Sequence, residues 1–396
     1  MPNPQPIRAR DVLRSLPLPW LDNLGDAERA CRELLEVAGV SVGGNNPWDI
    51  HVQNPSFYRR VLAEGVLGLG ESYMEGWWEC EQLDEMLARM VRAQLKKHVL
   101  GSLRLATHAV VAKVTNLQSA ARAFEVGKRH YDISNDLYEA MLDSRMVYTC
   151  GYWRDADNLE QAQEAKLDLV CRKVGLKPGM RVLELGCGWG SFAQFAAERY
   201  GVSVDGYTVS KEQVALGNER CKGLPVTLKL ADYRTATGHY DAVISIGIME
   251  HIGAKNYRTY MEVADRCLDQ DGLAFIHTIG YHLQQPAIDP FYHRYIFPNA
   301  HLPALSQLAE AAEGHFVVED VHNFGPDYDP TLMAWWRNFD AAWPELRQRG
   351  SYDGTFYRMW KFYLLSCAGG FRGRTTQLYQ MVMSKFGRDQ PDCRML

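Results

Sequence analysis

Hydrophobic and polar residues change their spacing near residue 160, and this change separates two kinds of predicted structure. Residues 20–118 show helical patterns with short loops, a turn-rich patch at 39–49, and a stretch, GLGESYMEGWWEC (68–80), that we predict to be a packed loop. From about residue 160 an amphipathic helix, AKLDLVCRKVG, precedes apolar runs that alternate with helical stretches. The runs predicted as strands are RVLEL, VSVDGY, VTLKL, YDAVISI and LAFIHTI. This alternation predicts an α/β fold, a parallel sheet with helices on both faces.

The length of the chain predicts two domains. It has 396 residues, whereas a single core usually stops growing near roughly 250–300 residues. The boundary is expected around NLQSAARA, which gives a smaller, mainly helical N-terminal domain over 1–120 and an α/β catalytic domain over 121–396.

Positive charge is concentrated in one segment of a chain whose formal net charge is −5. Residues 88–129 contain nine Lys or Arg and a single acid. On a helical wheel Arg89, Arg92 and Lys96 share one face beside an apolar arc, and we predict a basic helix over 88–104. Such a helix suits an anionic membrane surface. A solvated helix packed on its own domain is the open alternative, and nucleic acid is not expected because no recognition motif accompanies the charge.

The cysteines and the apolar runs bear on the compartment. None of the nine cysteines forms a C-x-x-C pair, and the first residues, MPNPQPIRARDVL, lack the apolar stretch of a secretory signal. No apolar run approaches the ~20 residues that cross a bilayer. We therefore expect reduced thiols, a cytoplasmic location and, at most, peripheral contact with the inner face of a membrane.

A glycine turn after the first predicted strand indicates a cofactor site. In ELGCGWG the three glycines Gly186, Gly188 and Gly190 follow a strand and open a helix, where backbone groups can approach a ligand. Glu184 precedes them and can meet an ammonium group, while Asp232 ends the third strand and can accept from adenine. A dinucleotide site is the competing interpretation, but the spacing is G-x-G-x-G. The pattern favours S-adenosylmethionine in a class I methyltransferase with a Rossmann-like sheet.

The end of the second strand, in GYTVSKEQ, carries a threonine where such sites usually place an acid for the ribose hydroxyls. Thr208, Ser210 and Gln213 can bind a ribose diol through hydroxyl and amide groups without charge. Ser210 is also expected to cap the next helix.

Several longer motifs occur together and in order. They are HYDISNDLYEAMLDSRMVYTCGYW, ELGCGWG, GYTVSKEQ, GIMEHIG, FIHTIG and NFGPDYDPTLMAWW. From about residue 30 to about residue 385 the chain resembles the bacterial cyclopropane-fatty-acyl-phospholipid synthases, including the N-terminal domain of the full-length, phospholipid-acting type. The resemblance implies transfer of the sulfonium methyl to a cis double bond of a phospholipid acyl chain. The resulting carbocation loses a proton and closes a three-membered ring.

The resemblance also implies the residues of the site. A bound bicarbonate ion is the implied base, and the matching positions are Glu250, His277, Tyr328 and backbone groups of Cys150 and Ile279. The implied cofactor-binding set is Tyr148, Thr149, Glu184, Gly186, Cys187, Gly188, Gly190, Thr208, Ser210, Gln213, Asp232, Tyr233 and Arg234, with Tyr131 and Asp132 nearby. Cys367 matches the family's active-site cysteine, but the alkene itself attacks the methyl group, so we expect its thiol to line the pocket. A homodimer is a further implication.

Other interpretations of these residues stay open. His277 can be a satisfied core histidine, and Glu250 a helix-cap acid. A metal site is not expected, because the histidines lack spacing such as H-E-x-x-H. Reduction of the carbocation would give a methyl-branched chain instead of a ring. Methylation of nitrogen or oxygen in a small molecule is another possibility, as is a lipid-binding protein without activity.

Overall fold

The computed structural model describes residues 24–95, 134–349 and 352–395. Its larger part is a seven-stranded sheet with helices on both sides. The sheet strands are β3 (Arg181–Leu185), β4 (Ser203–Thr208), β5 (Val226–Leu230), β6 (Tyr240–Ile246), β7 (Leu268–Tyr281), β8 (Val317–Asn323) and β9 (Thr376–Ser384). The helices that precede or surround them are α5 (Asn135–Met141), α6 (Leu159–Lys173), α7 (Ser191–Tyr200), α8 (Lys211–Arg220), α9 (Met249–Ile252), α10 (Tyr257–Cys267), α11 (Pro290–Tyr295), α12 (Leu305–Ala312), α13 (Tyr328–Gln348) and α14 (Gly354–Arg372).

The strand order is β5-β4-β3-β6-β7-β9-β8. The first five strands are parallel, and β9 runs antiparallel to both β7 and β8. The predicted α/β fold is confirmed, and so are the five predicted strands within one or two residues at most ends. The exception is β7, which begins at Leu268 and ends at Tyr281.

The described N-terminal part is mainly helical, with a two-stranded antiparallel pair. Its elements are α1 (Leu24–Val37), β1 (His51–Val52), α2 (Ser56–Glu64), α3 (Val66–Met74), β2 (Trp78–Glu79) and α4 (Leu83–Arg92).

The prediction of a packed loop over 68–80 is wrong for its first half, which lies in helix α3. The glycines there serve close packing and not a turn. A Cβ added at Gly70 would lie 2.4 Å from the ring of Phe291, and one at Gly68 would lie 2.5 Å from the carbonyl oxygen of Arg60. Glycine lowers helix propensity, so the sequence pattern concealed a helix that tertiary contacts stabilise.

The prediction of one basic helix over 88–104 is also wrong where it can be compared. Helix α4 begins earlier and ends at Arg92, and Gln94 has a left-handed φ of 54°. Arg89 pairs with Glu85 at 3.0 Å, and its guanidinium lies 3.8 Å from the ring centroid of Trp48. Its charge is therefore used within the protein. Lys96 and the rest of the basic segment to residue 129 lie outside the described residues.

Helices of the N-terminal part and of the larger part share one hydrophobic core. Helix α4 packs along α14, and α3 packs against both α11 and α14. Buried side chains from both parts, such as Trp78, Leu87, Trp335 and Trp360, belong to the same apolar cluster. The expected domain boundary at 120/121 lies outside the described residues.

Arginines add charged contacts between the two parts. Arg372 pairs with Asp84 of α4 and with Asp329 of α13, each at 2.8 Å. Arg294 contacts Glu71, a buried acid that also pairs with Arg60 at 2.5 Å. The N-terminal helices are thereby held beside the sheet. No helix in the described segments is long and apolar enough to cross a membrane.

Candidate active site

A cavity of about 920 Å³ opens at the carboxyl ends of the parallel strands. At this edge the chain leaves β3 toward β4 on one side, whereas β6 continues toward β7 on the other. Such a switch in strand order leaves a crevice in which ligands of α/β proteins collect. The cavity wall includes residues from the glycine turn, from the ends of β4, β5 and β6, and from the N-terminal helices.

The glycine turn between β3 and α7 has the backbone that only glycine adopts readily. Gly186, Gly188 and Gly190 have φ values of 81°, 54° and 77°. Gly186 and Gly188 line the cavity. Gly190 sits at the start of α7, where an added Cβ would lie 2.9 Å from Leu228. Its role in this structure is to let the helix approach β5.

Glu184 is a buried acid with unused hydrogen-bonding capacity. Its side chain is 3% exposed and lines the cavity, and within the described segments its Oε2 has no hydrogen-bond partner. Burial raises the pKa of this carboxyl to about 8, against the opposing charge of Lys166. A buried carboxylate oxygen without a partner is costly, and a cationic ligand such as an ammonium group would satisfy it.

The polar residues after β4 form one hydrogen-bonded unit. Thr208 Oγ1 donates to Gln213 Oε1 at 2.7 Å, and Ser210 caps α8 by accepting from the Gln213 amide. The predicted cap is therefore present. Thr208 and Gln213 line the cavity, whereas Ser210 lies behind them. Their hydroxyl and amide groups fit an uncharged diol.

Asp232 follows β5 and is also ordered by its neighbours. Its carboxylate accepts from the amide of Arg234 at 2.9 Å and pairs with the Arg234 guanidinium at 2.8 Å. Asp232, Tyr233 and Arg234 all line the cavity. They lie beside the β4 end, because β4 and β5 are paired in register.

Glu250 lies in α9, immediately after β6. Its Oε1 accepts from the Ile279 amide at 2.6 Å, while Oε2 has no partner among the described residues. Burial raises the pKa of this carboxyl to about 7. At neutral pH it can both take and release a proton. Ile279 thus orients Glu250 through its backbone amide.

His277 does not follow its strand as the sequence suggested, because β7 continues to Tyr281. The ring is 1% exposed, and Gln380 Nε2 donates to its Nδ1 at 3.3 Å. This contact leaves the ring proton on Nε2, which has no partner in the described parts of the chain. Burial and the charges of Lys166 and Lys173 hold the pKa of His277 well below its usual range. The imidazole is neutral at pH 7.

The predicted catalytic residues occupy two layers. Glu250, Ile279, Tyr328 and Cys367 line the cavity, together with the predicted cofactor residues Tyr148 and Thr149 and with Cys187 of the glycine turn. Cys150 and His277 are buried behind this wall. Tyr131 and Asp132 lie outside the described residues.

Cys367 faces the cavity in an apolar setting. Burial raises the pKa of its thiol to about 12. The thiol is therefore protonated at neutral pH and has little nucleophilic character. This agrees with a lining role.

Two sets of wall residues were missed from the sequence. Lys166 of α6 is fully buried and lines the cavity. Its position on the apolar side of a predicted amphipathic helix could have indicated a buried, functional lysine. The second set comes from the N-terminal helices and includes Leu69, Leu87, Met90 and Val91. These apolar residues look like ordinary core in the sequence, and only their packing against α14 places them at the site.

Known proteins share this sequence and fold. The chain is 52% identical over 361 residues to the cyclopropane-fatty-acyl-phospholipid synthase of Escherichia coli strain K12, which covers 90% of this chain and 93% of the relative. The structure of the cyclopropane synthase MmaA2 from Mycobacterium tuberculosis matches with a TM-score of 0.63 and 30% identity, covering 66% of this chain and 98% of that one.

A structure of the mycolic acid cyclopropane synthase CmaA1, complexed with SAH and CTAB, matches with a TM-score of 0.62 and 31% identity, over 66% of this chain and 98% of that one. The family model for mycolic acid cyclopropane synthetase matches residues 118–381. By sequence and by fold, the chain belongs to the mycolic acid cyclopropane synthetase family.

Proposed function

We propose that this chain transfers the methyl group of S-adenosylmethionine to the cis double bond of an unsaturated acyl chain in a membrane phospholipid, forming a cyclopropane ring. The observation that carries the proposal is one continuous cavity, which joins the loops expected to bind the cofactor to an apolar wall built by the N-terminal helices. The E. coli relative, a cyclopropane-fatty-acyl-phospholipid synthase, matches over 90% of this chain.

The residues around the glycine turn fit S-adenosylmethionine, which supplies an electrophilic methyl group when bound. The unpartnered oxygen of Glu184 suits the ammonium group, and the turn at Gly186 and Gly188 allows close approach of the backbone. Thr208 and Gln213 suit the ribose hydroxyls, and Asp232 suits the adenine amino group. The remaining proposed contacts come from the cavity residues Tyr148, Thr149, Cys187, Tyr233 and Arg234. Gly190 and Ser210 would support the cofactor site from behind the cavity wall.

Aromatic rings line the cavity in which we expect positive charge to develop on the acyl chain. Tyr148 Oη and Tyr363 Oη lie 2.8 Å apart, and the ring centroids of Tyr328 and Phe371 are separated by 4.5 Å. These rings line the cavity with Phe297. Ring faces attract cations, and an apolar wall excludes the water that would trap a carbocation.

We infer that the base is a bicarbonate ion, held by Glu250, His277, Tyr328 and the backbone around Cys150 and Ile279. Two buried polar atoms without described partners, Glu250 Oε2 and His277 Nε2, support this inference. A bound bicarbonate would accept the proton released at ring closure. The neutral His277 ring would donate through Nε2, and Glu250 would relay the proton.

The experiment uses the full chain, labelled S-adenosylmethionine and vesicles of unsaturated phospholipid, with mass spectrometry of the released fatty acids. We expect a product heavier by one methylene and lacking an alkene. A product with two additional hydrogens would identify methyl branching in place of ring formation. Labelled product confined to the headgroup, or no labelled lipid, would refute the proposal. Removing bicarbonate should lower turnover of the wild type without altering cofactor affinity.

Further proposals concern the surroundings of the site. We infer that the N-terminal domain, over 1–120, holds the protein on the inner face of an anionic membrane and presents the acyl chain to the catalytic domain, over 121–396. The apolar cavity wall from α3 and α4 supports this role. The side chain of Arg92 is 52% exposed beside that wall, and a cation there suits lipid phosphate.

The membrane proposal is tested by flotation with vesicles that contain or lack anionic lipid. Replacing Arg89, Arg92 and Lys96 together should weaken binding at low salt more than at high salt. Arg89 pairs with Glu85 at 3.0 Å and stacks on Trp48, whereas Arg92 lies 3.8 Å from Glu85. Arg92→Gln alone therefore disturbs the internal contacts less. If both variants bind anionic vesicles as the wild type does, the proposed membrane-binding surface is wrong. The proposed homodimer is tested by sedimentation of the full chain.

A further inference from the structure

Lys166 is a fully buried lysine in the middle of helix α6, and the function described so far gives it no task. A buried ammonium group is costly unless it is paired and hydrogen-bonded. None of the described carboxylates forms an ion pair with it, although Lys173 on the same helix pairs with Asp320 at 3.2 Å. The burial of Lys166 therefore needs another explanation.

Helix α6 uses this lysine to hold a segment of the cavity wall. Lys166 Nζ donates to Thr149 Oγ1 at 2.7 Å, and Gln163, one turn earlier, donates from Nε2 to the Thr149 carbonyl at 2.7 Å. An ammonium group has three donors, and in the described segments Thr149 Oγ1 accepts one of them. Because Lys166 lines the cavity, its other two N–H donors are available to a ligand there.

Two acidic groups act on the charge of Lys166. Burial lowers the pKa of Lys166 to about 8, and the charges of Asp143 and, less strongly, Glu184 oppose this shift. The lysine is therefore largely protonated at pH 7. Glu184 lies on the same cavity wall with an unpartnered oxygen. Because burial raises its pKa to about 8, Glu184 is largely protonated at pH 7 in the ligand-free protein, and a bound ammonium group would favour its ionised form. A cavity that holds Lys166 and Glu184 without a direct ion pair is therefore complementary to a zwitterion.

We propose that Lys166 binds the carboxylate of the amino-acid end of S-adenosylmethionine, directly and through Thr149 Oγ1, while Glu184 binds the ammonium group of the same ligand. This inference rests on the proposed use of that cofactor. The two residues come from α6 and β3, which follow each other in the sequence. One rigid unit would therefore bind both charged groups of the ligand.

A second oxyanion could use the same lysine. The charge of Lys166 also lowers the pKa of His277, so its field extends to the proposed bicarbonate site. Both candidates present a carboxylate-type oxyanion, and the test must separate them.

The test compares Lys166→Met with the wild-type chain by calorimetric titration of three ligands. S-Adenosylmethionine carries both charges, its decarboxylated analogue keeps the ammonium group, and 5′-methylthioadenosine lacks the amino-acid end. We expect affinity for S-adenosylmethionine to fall at least about 30-fold, as for the loss of one partner of a buried charge pair. Affinities for the other two ligands should change less than about 3-fold. Glu184→Gln is the matched control, since it should lower the affinity for both ligands that carry the ammonium group.

Several outcomes would overturn the assignment. Equal losses for all three ligands would mean that the variant has damaged the pocket. Unchanged affinity for S-adenosylmethionine, with an altered dependence of turnover on bicarbonate, would assign the lysine to the other anion. If the methionine variant does not fold, Lys166→Gln, which keeps a donor for Thr149, is measured in its place. Tight binding and ring formation by the wild type would leave the proposed function standing in each case, whereas a wild type that binds none of the ligands would remove both.

Discussion

Replacing Glu184 by glutamine should make the ligand-free protein more stable at alkaline pH while weakening cofactor binding. The substitution keeps the shape of the side chain and an oxygen that can accept from the backbone at Ala193. It removes a carboxylate that burial disfavours. A gain in stability with a loss in affinity distinguishes a binding residue from a structural one.

The magnitude follows from the pKa of this group. Burial raises the pKa of Glu184 from 4.5 to about 8, and one pKa unit corresponds to about 1.4 kcal/mol. The folded-state pKa lies above the unfolded one, so the protonated form of Glu184 favours the folded protein. This contribution to the free energy of unfolding is fully present below about pH 4.5 and is lost as pH rises through about 8. The loss by pH 8 is on the order of 4 kcal/mol. Lost attraction to Lys166 offsets part of the gain in the variant.

The assay is urea unfolding of the ligand-free protein at pH 5.5, 7 and 8, followed by circular dichroism. The free energy of unfolding of the wild type should fall across this range, and Glu184→Gln should remove about 2 kcal/mol or more of that fall. Glu250 contributes its own part up to about pH 7, so some slope should persist. Glu262→Gln, at an exposed position on α10, controls for the loss of one acid. An unaltered slope in Glu184→Gln, or undiminished affinity for S-adenosylhomocysteine, would refute the reasoning.

Three other variants test separate parts of the structure. Glu250→Gln should bind S-adenosylmethionine normally and lose at least about 100-fold in turnover, as expected for a proton-transfer group; full turnover would remove Glu250 from the mechanism. Cys367→Ala should keep more than a tenth of wild-type turnover, because a protonated thiol has no covalent step to perform; complete loss in a folded variant would contradict this. Gly70→Ala should lower the free energy of unfolding by about 1–3 kcal/mol through the clash with Phe291, measured by urea unfolding. Its control is Gly354→Ala, a helical site where an added Cβ has nothing within 4 Å, and equal effects of the two would argue against the clash.

The parallel half of the sheet could be predicted because the residues that determine each strand and turn lie next to it in the sequence. The strand RVLEL is an apolar run that ends in a glycine turn, and Ser210 caps the helix that follows the next strand. Each of these signals lies within a few residues of its effect. The edge of the cavity at which we propose cofactor binding was predictable for the same reason, since it consists of strand ends and the turns after them.

The antiparallel edge was missed because its residues do not look like a strand. Strand β9 is buried along nearly its whole length, yet it includes Gln377, Gln380 and Ser384. Polar side chains of this strand form hydrogen bonds with distant partners, for example Gln380 Nε2 with His277 and Ser384 with Glu319. Polar residues in a run normally argue against burial, and only the tertiary partners reverse that argument.

The N-terminal wall of the cavity could not be predicted from a helical wheel. Leu87 and Val91 lie on the apolar arc, which the pattern assigns either to a membrane or to a core. In the structure Val91 meets α14 closely, since an added Cβ at Gly373 would lie 2.5 Å from it. The pattern shows which face of the helix is apolar, whereas the surface that covers this face belongs to residues 280 positions away in the sequence.

Buried polar groups of the candidate site destabilise the ligand-free protein, and this cost is an argument for ligand binding. Buried polar atoms in proteins are nearly always paired, yet Glu184 Oε2, Glu250 Oε2 and His277 Nε2 have no partners within the described segments. Both carboxyl groups have raised pKa values because burial disfavours their charge. An apolar residue at either position would relieve this cost, so stability alone gives no reason for an acid there. The cost is recovered only when a cation reaches Glu184 and a proton-carrying anion reaches Glu250, as the proposed reaction requires.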